Sequence, residues 1–320
     1  MRSKFRIGLA GVGPHMTEHL LPALRLIPGV EVIAAVSSSP TKQKELEQKL
    51  WIVKWFTNIE SLLYANICDG IVASGSVDYH EKVLADCIES NLPAFIEKPP
   101  ASNLMTLSRL ARAAQQKEIV IGVGLNLPHT EVIRHVEKFV KDTRTYIRKI
   151  KIYYHTNKPK TPLWECCSLM ESFLLAIVVH PLSLARHFLG DHFDLSHVGI
   201  QTSGDAIGLH IQLEGEGCRA EIICSNNRLR HICDFEFELG SGVRLRANGL
   251  TSLMGSESGR TITIWNPSPL SLSLNSNGFL KELNDFVENV ITQKRCNQLY
   301  EIMDIYQIMQ KIINKHNGVE

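Results

Sequence analysis

The sequence has no C-x-x-C pair, no basic stripe, no internal repeat and no low-complexity linker, and it begins without a signal-peptide core. These absences remove whole classes of function. The eight cysteines are scattered. The adjacent Cys166 and Cys167 have an awkward geometry for a mutual disulfide and the wrong spacing for zinc. All eight are expected to be free thiols of a reducing compartment, with no metal site. Met1 to Phe5 runs straight into an apolar strand pattern, and no apolar run of about 18 residues stands out to span a bilayer. The expectation is a soluble, cytoplasmic protein with no membrane partner. Lys plus Arg number 34 against 33 for Asp plus Glu, a net charge of +1. That balance argues against a nucleic-acid surface and leaves room only for a local phosphate site.

What is present suggests chemistry. A length of 320 residues favours about two domains, and 44% hydrophobic residues supply sizeable cores. Phe5 to Ala10 reads as a buried strand, followed at once by Gly11-Val12-Gly13 and by Pro14-His15-Met16 opening a helix. Strand, glycine turn and helix together make a dinucleotide fingerprint. Gly11 permits the tight turn, and Gly13 lets the backbone approach a pyrophosphate at the helix amino terminus. Met16 stands where the third glycine of G-x-G-x-x-G belongs. The second strand, Val30 to Val36, ends at Ser37, Ser38 and Ser39, with Lys42 just beyond. An NAD enzyme usually carries Asp or Glu there to hold the ribose 2′-hydroxyl. Neutral hydroxyls and a cation suit a 2′-phosphate, so NADP(H) is expected in preference to NAD(H). The same serines are also suited to cap a helix from Thr41 to Lys49.

A third strand, Asp69 to Gly75, ends in the small residues Ala73, Ser74 and Gly75, which leave room for a flat ligand. His80 follows on the next helix, either as a ligand contact or as a capping or solvated histidine. Pro93-Ala94-Phe95-Ile96 reads as a buried strand that stops in Glu97-Lys98-Pro99-Pro100. Pro99 cannot continue the ladder, so Lys98 is expected at a fixed turn out of the sheet, where open α/β sheets gather ligands. The plain alternative is a solvated Glu-Lys pair. A helix from about Ser102 to Gln116 and a strand from Ile119 to Val123 follow, ending at Gly124-Leu125-Asn126. This alternation implies a parallel sheet with helices on both faces.

These residues resemble a known family. Gly11-Val12-Gly13 after the first strand, Ala73-Ser74 before His80, Glu97-Lys98-Pro99 and Gly124-Leu125-Asn126 together are similar to the Gfo/Idh/MocA (glucose–fructose oxidoreductase / inositol dehydrogenase) family, over essentially the whole chain. The resemblance implies an α/β protein with a Rossmann dinucleotide-binding domain, residues 1–124. It implies an α/β substrate and oligomerisation domain with a large open, mostly antiparallel sheet, residues 125–320, whose closing helices pack back on the first domain. It implies NAD(P)-dependent oxidoreduction of sugars, cyclitols and related polyols or ketones. It places Lys98 between nicotinamide and substrate and makes the Lys98-Pro99 bond cis. The cofactor-binding set it suggests is Gly11, Val12, Gly13, Pro14, His15, Ser37, Ser38, Ser39, Lys42, Ser74, Gly75, His80, Glu97, Lys98 and Asn126.

The second half reads as a strand from Arg148 to His155 with period two, a loop from Asn157 to Pro162, and a long helical pattern from Ser168 to Leu189 stopped by Gly190. Strands follow at His197–Thr202, Gly208–Leu213, Arg219–Ser225, Ile232–Leu239, Val243–Ala247 and Arg260–Ile264, an antiparallel meander with one face free. Two helices, Phe279 to Thr292 and Tyr300 to Lys315, close the chain. The long helix carries His180. In the family an acid stands four residues before this histidine and another three after; here those positions are Ala176 and Ser183. A carboxylate one turn away would fix the imidazole tautomer and raise its basicity, and Ala176 does neither. A buried histidine satisfied by a backbone carbonyl is the competing reading.

The expected function is a hydride transfer between nicotinamide and a carbonyl, carbinol or imine carbon of a small polar substrate, such as a keto-sugar, a cyclitol or a specialised-pathway intermediate. Lys98 would polarise the substrate oxygen and His180 would exchange its proton. Substrate candidates are Lys98, Asn126, Tyr154, Trp164, Glu171 and His180, with His155 and Glu165 as further polar neighbours. A homodimer or homotetramer through the open sheet is expected. The alternative is a non-catalytic dinucleotide-binding sensor or regulatory subunit, suggested by Met16 and Ala176.

Overall fold

The computed structural model describes residues 4–52, 54–257, 259–268 and 273–318; the side chain of Lys42 lies outside the described part. The chain divides into two compact units. One comprises Met1–Gly124 with Phe279–Met303, the other Leu125–Gly278 with Asp304–Glu320.

The first unit is built on a six-stranded sheet: β1 (Phe5–Ala10), β2 (Val30–Val36), β3 (Lys54–Phe56), β4 (Gly70–Ala73), β5 (Ala94–Glu97) and β6 (Ile121–Gly124), in the order β3-β2-β1-β4-β5-β6. Every pairing is parallel. Every residue of β4, β5 and β6 is buried, which is why these strands read as unbroken apolar runs rather than alternating ones. The chain moves outward from β1 to β3 and then returns to place β4 on the other side of β1. That reversal creates a switch point at the carboxyl ends of β1 and β4. Ile7, Leu9, Val72 and Phe95 form the centre of the core. The helix Phe279–Ile291 sets Phe286 against Phe95, with ring centroids 5.9 Å apart. Burying a side chain such as Phe95 contributes about 1.5–3 kcal/mol.

The second unit holds an eight-stranded sheet: β7 (Ile147–His155), β8 (Phe193–Ser203), β9 (Ala206–Gly215), β10 (Arg219–Ser225), β11 (Ile232–Leu239), β12 (Arg244–Ala247), β13 (Leu253–Glu257) and β14 (Arg260–Trp265). Its order is β14-β13-β12-β11-β7-β10-β9-β8. A pure meander is not what forms. β7 lies between β11 and β10 and runs parallel to β10. A parallel pair needs a long connection, and the chain between His155 and Arg219 supplies it with a helix and two strands. One face of the sheet is apolar, with Ile150, Ile152, Ile211, Ile222, Phe235 and Phe237 all buried.

Against β7, β9 and β10 packs the carboxyl-terminal part of the helix Leu169–Leu189. By length and composition alone this helix is apolar enough to cross a membrane. It is a core helix by placement, because 72% of its apolar stretch is buried within the protein. A π turn at Leu174–Val178 interrupts it, and Gly190, with φ +80°, ends it.

β3, β13 and the helix Glu131–Asp142 are additional to the elements expected from sequence. The two strands have three and five residues, too few for a period to show. The helix did carry a signal, since Val132, Ile133 and Val136 form its buried stripe. The expected closing helix from Tyr300 is split, with a turn at Gln298–Glu301 before Met303–His316. All eight cysteines are free thiols.

Candidate active site

The glycine turn follows β1. Gly11 has φ +85°, and a Cβ added to it would stand 2.2 Å from the Ser74 carbonyl oxygen. Both the dihedral and the approach of the loop after β4 therefore require glycine. A Cβ added to Gly13 would meet nothing within 4 Å, so the backbone there faces open room. That room, at the start of a helical segment and beside the switch point, fits the dinucleotide pyrophosphate that a Rossmann fold implies. Val12 is buried, and Met16, in the place of the third glycine, is a fully buried core side chain in a π turn at Met16–Leu20. After β2, Ser37 is buried and its Oγ donates to the Ser39 carbonyl at 3.3 Å, while Ser38 and Ser39 are exposed. The Ser39 carbonyl accepts from Gln43 N–H at the start of the helix Pro40–Leu50.

The loop after β5 is held from two sides. Glu97 is only 6% exposed. Its Oε1 lies 3.0 Å from His15 Nε2, and its Oε2 accepts from the Lys98 N–H at 3.2 Å. Gly124 makes this possible, because a Cβ there would come within 2.7 Å of the Glu97 carboxylate. On the other side His80 is almost wholly buried. Its Nε2 accepts from Gly75 N–H at 2.8 Å, and its Nδ1 lies 2.9 Å from the Pro99 carbonyl. One nitrogen accepts, so the other must carry the hydrogen and donate. Burial lowers the His80 pKa, which favours the neutral ring. The Lys98-Pro99 bond is cis. Lys98 is partly buried, and withdrawal of its ammonium from water lowers its pKa, with Glu97 acting in the opposite direction.

Two further groups in this unit were not singled out by sequence. His19 stacks on Phe279 and touches His15, with centroids 5.1 Å apart in each case. Glu282, on the helix Phe279–Ile291, is fully buried, and neither carboxyl oxygen has a hydrogen-bond partner among the described residues. Burial, followed by Glu97 and Asp285, raises its pKa well above the usual carboxylate range. An acid among Leu283, Phe286 and Val287 on an apolar helix face was the available signal.

The second unit places the remaining candidates. His180 is half-buried, and Tyr154 stacks on it with ring centroids 5.9 Å apart and planes 21° from parallel. Tyr154 also meets His231 edge-on at 5.0 Å. Burial pushes the Tyr154 hydroxyl pKa up. Ala176 is buried, and Ser183 Oγ donates to the His180 carbonyl at 2.8 Å. Glu171 serves the helix end: Ser168 Oγ accepts from its N–H, while its Oε2 accepts from Cys167 N–H at 2.9 Å. The Ser168 hydroxyl caps the helix, and the Glu171 carboxylate reaches one residue past it, to the N–H of Cys167 rather than of the cap itself. Trp164 and Glu165 take φ values of +51° and +57° in the preceding loop. His155 Nδ1 lies 2.8 Å from Ser225 Oγ. Asn126 donates through Nδ2 to the Asn277 carbonyl at 2.8 Å.

Within the first unit the fold thus gathers Gly11, Gly13, His15, Ser74, Gly75, His80, Glu97 and Lys98 around the carboxyl ends of β1, β4 and β5. Ser37 stands at the end of the neighbouring β2. Comparison with known proteins bears on the fold that carries these residues. Residues 5–125 match the model of the oxidoreductase family with an NAD-binding Rossmann fold, GFO_IDH_MocA. A myo-inositol 2-dehydrogenase of Thermotoga maritima is 21% identical over 302 residues, covering 89% of this chain and 88% of that one. Among solved structures, a dehydrogenase from Chromobacterium violaceum superposes with a TM-score of 0.91 at 22% identity, over 99% of this chain and 100% of that one. KijD10, a 3-ketoreductase from Actinomadura kijaniata in complex with NADP and TDP-benzene, superposes with a TM-score of 0.78 at 16% identity, over 96% of each chain. With the glycine turn and the Glu97-Lys98-Pro99 loop inside the matched stretch, residues 5–125 belong to the Gfo/Idh/MocA family as its NAD-binding Rossmann domain, and the chain as a whole shares the fold of these dehydrogenases.

Proposed function

We propose that this protein is an NADP-dependent oxidoreductase. It would move a hydride between nicotinamide and the carbonyl, carbinol or imine carbon of a small polar substrate such as a keto-sugar or cyclitol. Lys98 carries this reading: a partly buried lysine of lowered pKa, at the carboxyl end of β5 in the same unit as the glycine turn. The bound cofactor supplies the hydride. Lys98 holds and polarises the substrate oxygen as negative charge gathers on it, a task suited to a compact cation whose pKa moves readily on desolvation. His180 of the second unit is assigned the proton on that oxygen, as acid in reduction and base in oxidation. The family resemblance supports that assignment. The preference for NADP is supported by Ser37, Ser38 and Ser39 standing where an acidic ribose clamp would be, and the KijD10 neighbour was solved with NADP. The inositol dehydrogenase and 3-ketoreductase among the relatives support a cyclitol or keto-sugar.

The test is fluorescence titration with NADPH and NADH, then a screen of keto-sugars, cyclitol ketones and imines for NADPH consumption. Tight NADPH binding with turnover of one of these supports the proposal. Binding without turnover of any would favour the second reading, a dinucleotide-binding sensor or regulatory subunit, which Ala176 and Ser183 in place of the acids favour.

A homodimer or homotetramer through the open face of the eight-stranded sheet belongs to the same proposal. Across that face Arg246, Glu236, Lys151 and Glu221 alternate in sign strand by strand, while the next row, Arg244, Glu238 and Lys149, ends on a like charge at Arg219. Rows of alternating sign are self-complementary when a second copy is turned onto them. Light scattering of wild type and Glu236→Lys distinguishes an oligomer held this way from a monomer.

A further inference from the structure

We propose that His80 is a positioning residue that ties the loop after β4 to the Lys98-Pro99 loop, with one ring nitrogen serving each. The inference rests on the reading of Ser74-Gly75 as part of the cofactor loop and of Lys98 as the polarising group.

Three observations carry it. His80 lies in the first turn of the 13-residue helix Val77–Glu89, so its ring is mounted on a rigid element. The ring is 1% exposed, and both nitrogens are used, at 2.8 Å to Gly75 N–H and at 2.9 Å to the Pro99 carbonyl. Those two backbone groups belong to different strand ends, and each would otherwise lack this side-chain partner. A buried backbone group left without a partner is costly.

Only a neutral imidazole meets this requirement. Lysine and arginine have no acceptor, and carboxylates have no donor when ionised. Asparagine places its amide near the position of Nδ1, and glutamine reaches near Nε2, so each can serve one loop and not both. The lowered pKa of the buried ring agrees with the neutral form. Lys98 precedes Pro99 directly, so whatever fixes the Pro99 carbonyl fixes the backbone from which the Lys98 side chain departs. The acid at Glu97 is the charged group that acts on Lys98 here.

The two isosteric substitutions separate the two bonds. His80→Asn retains a donor for Pro99 and loses the acceptor for Gly75. It should weaken NADPH binding about tenfold, the effect of one hydrogen bond, and leave Lys98 as it is. His80→Gln retains an acceptor for Gly75 and loses the donor for Pro99. It should weaken NADPH binding less than His80→Asn does while Lys98 relaxes toward water. Lys98 is read in the cofactor-free protein by competitive labelling with acetic anhydride across pH, followed by peptide mapping. In wild type and His80→Asn its labelling pKa should lie below the ordinary ~10.4; in His80→Gln it should rise toward that value.

Equal losses of both properties in both variants would mean a general packing role and overturn the proposal. If either variant fails to fold, 15N NMR of the imidazoles in the unaltered protein decides. At pH 7 the His80 ring must show a protonated Nδ1 and an unprotonated Nε2; the opposite tautomer or a charged ring overturns it. The labelling and the tautomer need no substrate, so their outcome stands apart from failure of the oxidoreductase reading, which would appear as no NADPH binding in wild type.

Discussion

The loops at the strand ends of the parallel sheet and the long apolar helix of the second unit carry the two candidate catalytic side chains in opposite ways. Around Lys98, neighbouring side chains hold the backbone directly. Glu97 accepts from the Lys98 N–H and meets His15, and His80 grips Pro99 and Gly75. Around His180 the helix is apolar, the family's two acidic positions are Ala176 and Ser183, and the ring's neighbour is the face of Tyr154. The difference teaches where a fold can brace a catalytic side chain. A parallel sheet delivers backbone groups and side chains from several strands to one edge, where they can brace one another. A single helix offers a side chain only the residues one turn away and whatever packs across from it.

If this contrast is real, substitutions in the two regions should differ in size. Lys98→Met keeps the aliphatic stem and removes the charge. It should cut turnover on the order of 10²-fold or more, as loss of an electrostatic stabiliser does, with melting temperature little changed. Wild-type turnover in that variant would reduce Lys98 to a strand-end charge. Because the Lys98 pKa is lowered, the cation should be lost as pH rises through a value below that of an ordinary lysine, and kcat/KM for reduction should decline there.

His180→Asn should have the smaller effect of the two, a loss of turnover of no more than about 10²-fold, the low end for removal of a general acid, with cofactor binding unaffected. A loss equal to that of Lys98→Met would erase the contrast. An unchanged rate and pH profile on a true substrate would make His180 a core histidine, and the proton donor would then be sought at Tyr154 or His155.

Ser37→Asp probes the cofactor end of the first unit. A carboxylate after β2 should repel a 2′-phosphate and accept from a 2′-hydroxyl, shifting the NADPH-to-NADH affinity ratio about tenfold toward NADH, worth ~1.4 kcal/mol. Paired titrations measure this, and an unmoved ratio would place the ribose elsewhere.

The smallest effect concerns stability of the first unit alone. Glu282 has a folded-state pKa raised by burial. The stability it contributes is therefore present below the unfolded-state value and is lost as pH rises through the range between the two. Glu282→Met should remove that loss and raise stability at pH 8 by about 1–3 kcal/mol, the usual cost of a buried polar group without a partner. The gain should shrink toward pH 5. Denaturation at both pH values measures it, and a gain independent of pH would mean that Glu282 keeps its charge state on unfolding.

The sequence by itself determined the strands and their chemistry-bearing ends. β1, β2 and β10 match their expected limits, because a buried parallel strand or a half-buried one leaves a local mark: an apolar run, or alternation, closed by glycine, serine or proline. Gly11, Ser74 and Lys98 were legible for the same reason, since each follows directly on such a run. Only the tertiary structure decided the central place of β7, its parallel pairing with β10, and the short strands Lys54–Phe56 and Leu253–Glu257. It alone gave His80 its two partners, put Glu97 in reach of His15 with Gly124 making the space, and left Glu282 buried beside them. These are meetings between residues 5 to 185 positions apart. Local propensity carries no record of them, because their stability arises only once the strands have been ordered and water has been excluded from their ends.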